Sequence, residues 1–220
     1  MAMKLAMSLR FSILLAGALA LAPLPAAAQI VDPPGPPSQK AEPPEPVQPP
    51  AELPKTPRGD AVRGLDFLFE ALKVAPDADS AKHIENRIWA LWLASGSDTA
   101  NLLMSRVKTA TDRKDYELAV KLLDSVIELR PDYVEAWNRR ATIFYLQKDY
   151  ERSMADIRYV LALEPRHFGA ISGLGMILQE YGDDKRALDA FRRAIAVHPH
   201  LQRLPEMIKT LSEKVEGRDI

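Results

Sequence analysis

Asp115–Pro131 reads DYELAVKLLDSVIELRP, Asp149–Pro165 reads DYERSMADIRYVLALEP, and Asp183–Pro199 reads DDKRALDAFRRAIAVHP. The three stretches align without gaps. Asp115, Asp149 and Asp183 recur every 34 residues, as do Pro131, Pro165 and Pro199, and Tyr116 and Tyr150 follow the first two aspartates. Independent markers that share one period define an internal repeat. In the middle unit Trp137, Ala141, Phe144 and Tyr145 fall at helical spacing, which gathers them on one face. Asp149 stands where a helix N-cap belongs, its carboxylate facing the orphan amides of the first turn. Met154, Ile157, Val160 and Leu161 form a second apolar stripe. Pro165 is expected to close that helix and open the next, since proline is tolerated in a first turn and not inside a helix. Each unit is therefore a helical hairpin whose faces stay uncovered until a neighbour stacks on them.

A helix–turn–helix unit of this length resembles the tetratricopeptide repeat, and the residues match as well. The middle unit is similar to the family motif through Trp137, Ala141, Phe144, Tyr150, Val160 and Pro165. The third matches through Leu174, Gly175, Ala187, Phe191, Ala194 and Pro199, and the first through Tyr116, Ala119, Leu123, Val126 and Pro131, with a poorer first helix. The resemblance implies an all-α solenoid of stacked antiparallel hairpins, with units at about 100–133, 134–167 and 168–201. Two departures stand out. Arg106 and Arg140 occupy a position between the paired helices where the family has Leu, and Ser153 replaces a customary Ala.

The flanks extend the array into a helical domain over 59–216. Gly64–Val74, with Leu65, Leu68 and Leu72, and Ala81–Ala94, with Ile84, Ile88, Leu91 and Trp92, read as a degenerate N-terminal hairpin. Asp77-Ala-Asp79-Ser80 supplies its turn and cap. Leu204, Ile208, Leu211 and Val215 mark an amphipathic helix over 204–216, the cap that an open solenoid end requires.

Ahead of the domain the composition changes twice. Lys4 and Arg10 precede an apolar run over 11–22, and Pro23-Leu-Pro25 and Ala26-Ala-Ala28 follow. That three-part pattern reads as a secretory signal over 1–28, too short and too broken for a membrane span, with Gln29 as the mature start. The expected location is then the bacterial periplasm. An uncleaved segment would instead leave an inner-membrane anchor facing it. Residues 29–58 are proline-rich and nearly free of large apolar side chains. They are expected to form a disordered linker of polyproline character, or a docking peptide.

The chain of 220 residues carries a net charge of −1 and no cysteine. Disulfides, thiolate metal sites and thiol nucleophiles are thereby excluded, and no global charge draws the chain to nucleic acid. It contains no HExxH, GxxxxGK[ST] or GxSxG motif, so no enzyme class is expected, and no cofactor or metal. His198-Pro-His200 is expected to offer two exposed imidazoles on a loop, too few for a metal site without further ligands. Arg106 and Arg140 are expected to pair with Asp124 or Asp156, since an unpaired charge between helices costs several kcal/mol. The other reading has them projecting into a groove to take a ligand carboxylate.

The resemblance further implies that the first helix of each hairpin lines a concave groove. Its candidate partner-binding residues are Asn101, Met104, Lys108 and Thr111; then Glu135, Asn138, Thr142 and Tyr145; then Ser172, Met176 and Gln179. Such a lining suits an extended peptide or a partner helix from another protein. The family's carboxylate-clamp version grips a chaperone tail with a Lys/Asn/Arg set. Lys108 and Asn138 are present here, but the set is not reproduced. The expected role is thus a protein-interaction scaffold or adaptor in the cell envelope. An anchored assembly factor is the alternative, and an enzyme accessory subunit ranks behind both.

Overall fold

The computed structural model describes residues 46–50 and 59–217. The expected signal segment 1–28, and the linker apart from 46–50, lie outside the described residues. Helices follow in the order α1 (Gly59–Lys73), α2 (Ala78–Leu93), α3 (Asp98–Asp112), α4 (Tyr116–Leu129), α5 (Val134–Leu146), α6 (Tyr150–Leu163), α7 (Phe168–Glu180), α8 (Asp184–Val197) and α9 (Leu204–Val215), and no strand occurs among the described residues. The all-α solenoid read from the repeat is the fold observed. Pairs α3–α4, α5–α6 and α7–α8 are its three hairpins, and α9 covers α8 with Leu204 and Leu211.

The repeat's markers act locally as their chemistry requires. Asp115, Asp149 and Asp183 each accept a hydrogen bond from the backbone amide three residues on, at 3.1, 3.1 and 3.0 Å. The residue before each cap is left-handed: Lys114 at φ 59°, Lys148 at 61° and Gly182 at 74°. That kink turns the chain back on itself within each hairpin. The repeat prolines sit in the turn, not in a first helical turn as expected. Pro165 keeps Glu164 extended, and α7 begins only at Phe168, capped by His167.

Packing explains the recurring spacing of the stripes. Trp137, Ala141, Phe144, Ile157 and Val160 are buried together in the central core. A Cβ at Gly175 would overlap the Phe191 ring, so only glycine lets α7 and α8 approach this closely. Ser153 is fully buried, and its hydroxyl donates to the Ala141 carbonyl at 2.7 Å, which gives the Ala-to-Ser departure a structural purpose.

Arg140 is 1% exposed. Its Nε and Nη2 each donate to Asp156 at 2.8 Å, and its Nη1 donates to Asp124 at 2.6 Å. The expected pairing therefore involves both acids. One cation cannot neutralise two carboxylates, and burial holds both Asp124 and Asp156 above the usual range despite Arg140. Arg106 corrects the expectation: it is exposed and not inserted between helices. Among the described helices only α4 packs extensively on α3.

The N-terminal hairpin is the larger departure. Leu68, Phe69 and Leu72 of α1 pack on Ala81, Ile88 and Trp92 of α2, as the stripes implied. The pair does not extend the array beyond α3. It folds back over the turns that join the units, so that α2 reaches α5 and α1 reaches α8. Trp92 stacks on His167 with ring centres 4.1 Å apart, while Trp89 meets His167 and Phe168 edge-on. Arg166 pairs with Asp66 at 2.6 Å and lies over the Phe69 ring, and Arg130 reaches the Ser95 carbonyl. The Tyr133 hydroxyl donates to the Leu93 carbonyl at 2.9 Å. On the side of the array, Arg130, Tyr133, Arg166, His167 and Phe168 all belong to a turn or helix start where units meet.

Candidate functional site

Helices α5 and α7 present neighbouring faces, and small residues keep the space between them open. Gly169, Ala170 and Gly173 of α7 form one wall of a crevice whose other side carries Asn138, Thr142 and Tyr145 of α5. The Asn138 amide nitrogen donates to Glu135 at 3.0 Å, which leaves its Oδ1 as the acceptor of that side chain. Thr142 is exposed, with its hydroxyl returned to the Asn138 carbonyl at 2.9 Å. Tyr145 is half-buried and begins an aromatic row with Tyr150 and Tyr181, at centroid separations of 5.6 and 5.7 Å.

A second, larger hollow lies beside it. A cavity of about 660 Å³ is bounded by α2 (Ala78, Asp79, Lys82, Glu85), by Ser172 and Met176 of α7, and by the turn around Pro199 and the helix after it (His198, His200, Leu204, Met207). That size suits a drug-sized group or a short run of side chains. Glu85 is held below the usual carboxylate range: burial would raise it, but hydrogen bonds from Lys82 and Trp89 outweigh that. His198 is 2% exposed, and burial keeps it below its ordinary value although Glu85 lies 3.5 Å away. The expectation of two exposed loop histidines is thus corrected. His198 is buried, and His200 Nε2 lies 3.0 Å from the Ala75 carbonyl oxygen. Among the described residues no three His, Asp or Glu side chains gather closely enough to hold a metal ion.

The eleven residues nominated from the resemblance divide into groups. Asn138, Thr142 and Tyr145 come together in the crevice, and Ser172 and Met176 line the cavity. Gln179 is exposed at the far end of α7. Asn101, Lys108 and Thr111 line neither hollow. Asn101 accepts from the Ser95 hydroxyl at 2.7 Å, Lys108 pairs with Asp112, and Thr111 donates to the Val107 carbonyl. Met104 and Glu135 are buried and do not present a solvent-facing side chain. Met104 enters the core of the first hairpin, and Glu135 is 3.5 Å from the His167 imidazole under the folded-back α2. Sequence reasoning missed the wall contributed by α2. One signal was available: Trp89 lies off the Ile84–Ile88–Trp92 stripe, and an indole off its helix's own stripe needs a second surface.

No family model matches the chain. Over 153 residues it is 44% identical to a TPR repeat-containing protein of Rhizobium etli, in an alignment spanning 70% of this chain and 75% of that one. The chain belongs to the tetratricopeptide-repeat family. Solved structures agree with this TPR protein in fold. The first TPR of Spaghetti, solved with an HSP90 peptide, superposes with a TM-score of 0.52 at 16% identity, covering 55% of this chain and 95% of that one. A crystal structure of MamA superposes at 0.51 with 20% identity, covering 65% and 81%. These likenesses concern the fold of the repeats.

Proposed function

We propose that this TPR protein is a protein-interaction scaffold that receives an extended segment of a partner protein along α5 and α7. The observation that carries the reading is the crevice in which Asn138, Thr142 and Tyr145 face a wall of glycines. A backbone can approach the glycines closely. The Asn138 carbonyl then meets a peptide N–H, and Tyr145 offers an aromatic face to a side chain. The cavity walled by α2 would take the segment's next residues against Met176 and Met207, whose flexible thioethers adapt to varied side chains. The peptide bound to the Spaghetti domain is of the same general class of ligand.

A binding role is favoured over catalysis by where the raised acids lie. Asp124 and Asp156 are bound to Arg140 beneath α4 and α6, and neither acid lines the crevice or the cavity. The signal pattern in residues 1–28 supports export to the periplasm, with a retained anchor as the second form. Among the described residues no helix is long and apolar enough to cross a membrane.

In-cell crosslinking and capture on tagged full-length protein, with the intact mass read from the same preparation, test these points together. A reproducible partner lost in the Asn138→Ala, Tyr145→Ala double variant, and a mass beginning at Gln29, are the expected results. A partner retained by that variant overturns the crevice assignment, and a mass that includes Met1 replaces the soluble form with the anchored one.

A further inference from the structure

Residues 46–50, Pro-Val-Gln-Pro-Pro, lie in the stretch expected to be disordered, yet they are seated on the domain. Val47 packs against the central hydrophobic core. Pro46, Val47, Gln48 and Pro49 border a shallow trough made by Phe144 of α5 and by Arg152, Ala155 and Asp156 of α6, with Arg140 beneath. The Arg152 guanidinium lies over the Phe144 ring at 4.5 Å, so the trough wall is a flat cation–aromatic surface of the kind on which proline rings pack. The Val47 backbone amide lies near the Asp124 carboxylate, on α4, and works against the burial that raises that acid.

That last contact is selective. Three of these five residues are prolines without an N–H, so Val47 and Gln48 carry the only backbone donors in the segment. One of the two lies near an acidic acceptor. Asp124 is held there by Arg140, whose other two donors engage Asp156. A leucine in place of Arg140 would leave Asp124 unheld and Asp156 unpaired. The buried network carries one cation against two anions, and the nearby peptide amide is an additional donor.

We propose that the trough over Arg140 is a second recognition site, separate from the α5–α7 crevice, for an extended proline-bearing segment with an N–H between its prolines, and that residues 46–50 are its resident occupant. Arg140 positions Asp124, Asp124 reads the amide, and Phe144 with Arg152 and Ala155 takes the prolines.

Backbone relaxation by NMR on the full chain tests this. Gln48 should be as ordered as α4–α6, with an order parameter of roughly 0.85, and should fall below about 0.6 in Val47→Pro, which removes the donor, and in Ala155→Trp, which fills the trough. Both changes leave the Arg140 ion pairs in place, and the amide spectrum of α5–α8 reports that the fold persists. A free peptide of sequence 44–52, added at millimolar concentration to the Val47→Pro chain, should shift the Arg152 and Ala155 amides and should fail to do so in the Val47→Pro, Ala155→Trp double variant. A Gln48 as mobile in the native chain as in the variants overturns the proposal. So does a Gln48 that stays ordered in both variants, or a peptide that shifts nothing.

Discussion

Arg140 shows how a single side chain can depart from its family's pattern and still be held by the fold. Replacing it with leucine removes the cation and leaves two carboxylates buried. The expected loss is about 3–5 kcal/mol at neutral pH, the usual cost of breaking a buried pair from one side. The sign of the pH dependence follows from the direction of the acids. Both have folded values raised by burial, so the folded state binds protons that the unfolded chain has already lost. Stability of Arg140→Leu should therefore recover as pH falls toward the carboxylate range. Urea unfolding at neutral and mildly acidic pH measures this, and unchanged stability at neutral pH would contradict the structural role. Gly175→Ala belongs to the same scale. Its methyl group meets the Phe191 ring, and a loss of about 1–3 kcal/mol is expected from overpacking, read as a lowered thermal midpoint. The pairing of Arg140 was legible in the sequence because a cation at an interior position demands acids nearby. The different fate of Arg106 was not, since its exposure depends on what stacks against α3.

At the scale of elements, the three hairpins were readable because each turn carries its own instructions: a left-handed residue, a capping aspartate, then an apolar stripe. Lys148 adopts the left-handed conformation without being glycine, whereas Gly182 holds the equivalent place in the next unit. Lys148→Gly should accordingly raise stability by about 0.5–1 kcal/mol, and Asp149→Ala should lower it by about 1 kcal/mol, both by chemical denaturation. The N-terminal hairpin was legible as two helices but not in its position. Its stripes describe how α1 meets α2, while its docking rests on side chains from three separate turns that no local pattern connects. That docking contains a pH-dependent part. His198 is held below its ordinary value by burial, so the protonated form disfavours the docked state, and stability present above pH ~6.5 is lost as pH falls through the lower folded value. The opening free energy of α2, taken from hydrogen exchange after correction for the intrinsic pH dependence of amide exchange, should fall on mild acidification before that of α5, and His198→Gln should flatten the difference. An α2 with the same opening free energy at both pH values would remove His198 from the docking interaction.

On the whole-molecule scale, a stack of repeats is ordinarily a one-dimensional object in which each unit answers only to its neighbours. The folded-back hairpin changes that, because Trp92, Asp66 and Ala75 tie the start of the domain to units two and three. Trp92→Ala should cost about 3–5 kcal/mol and should loosen α1–α2 and the crevice edge together, with α3–α4 little affected, as hydrogen exchange can resolve. This long-range closure was invisible to periodicity, which reports what repeats and is silent about what returns. It also sets a schedule for synthesis. Arg166 follows Asp66 by 100 residues, and at ribosomal speed that separation amounts to roughly 5–20 s. For that interval the nascent hairpin can hold Phe69 against Trp92, but His167 and Phe168, on which Trp89 and Trp92 pack, have not been made. The two indoles are covered only once the turn that carries His167 and Phe168 has been made.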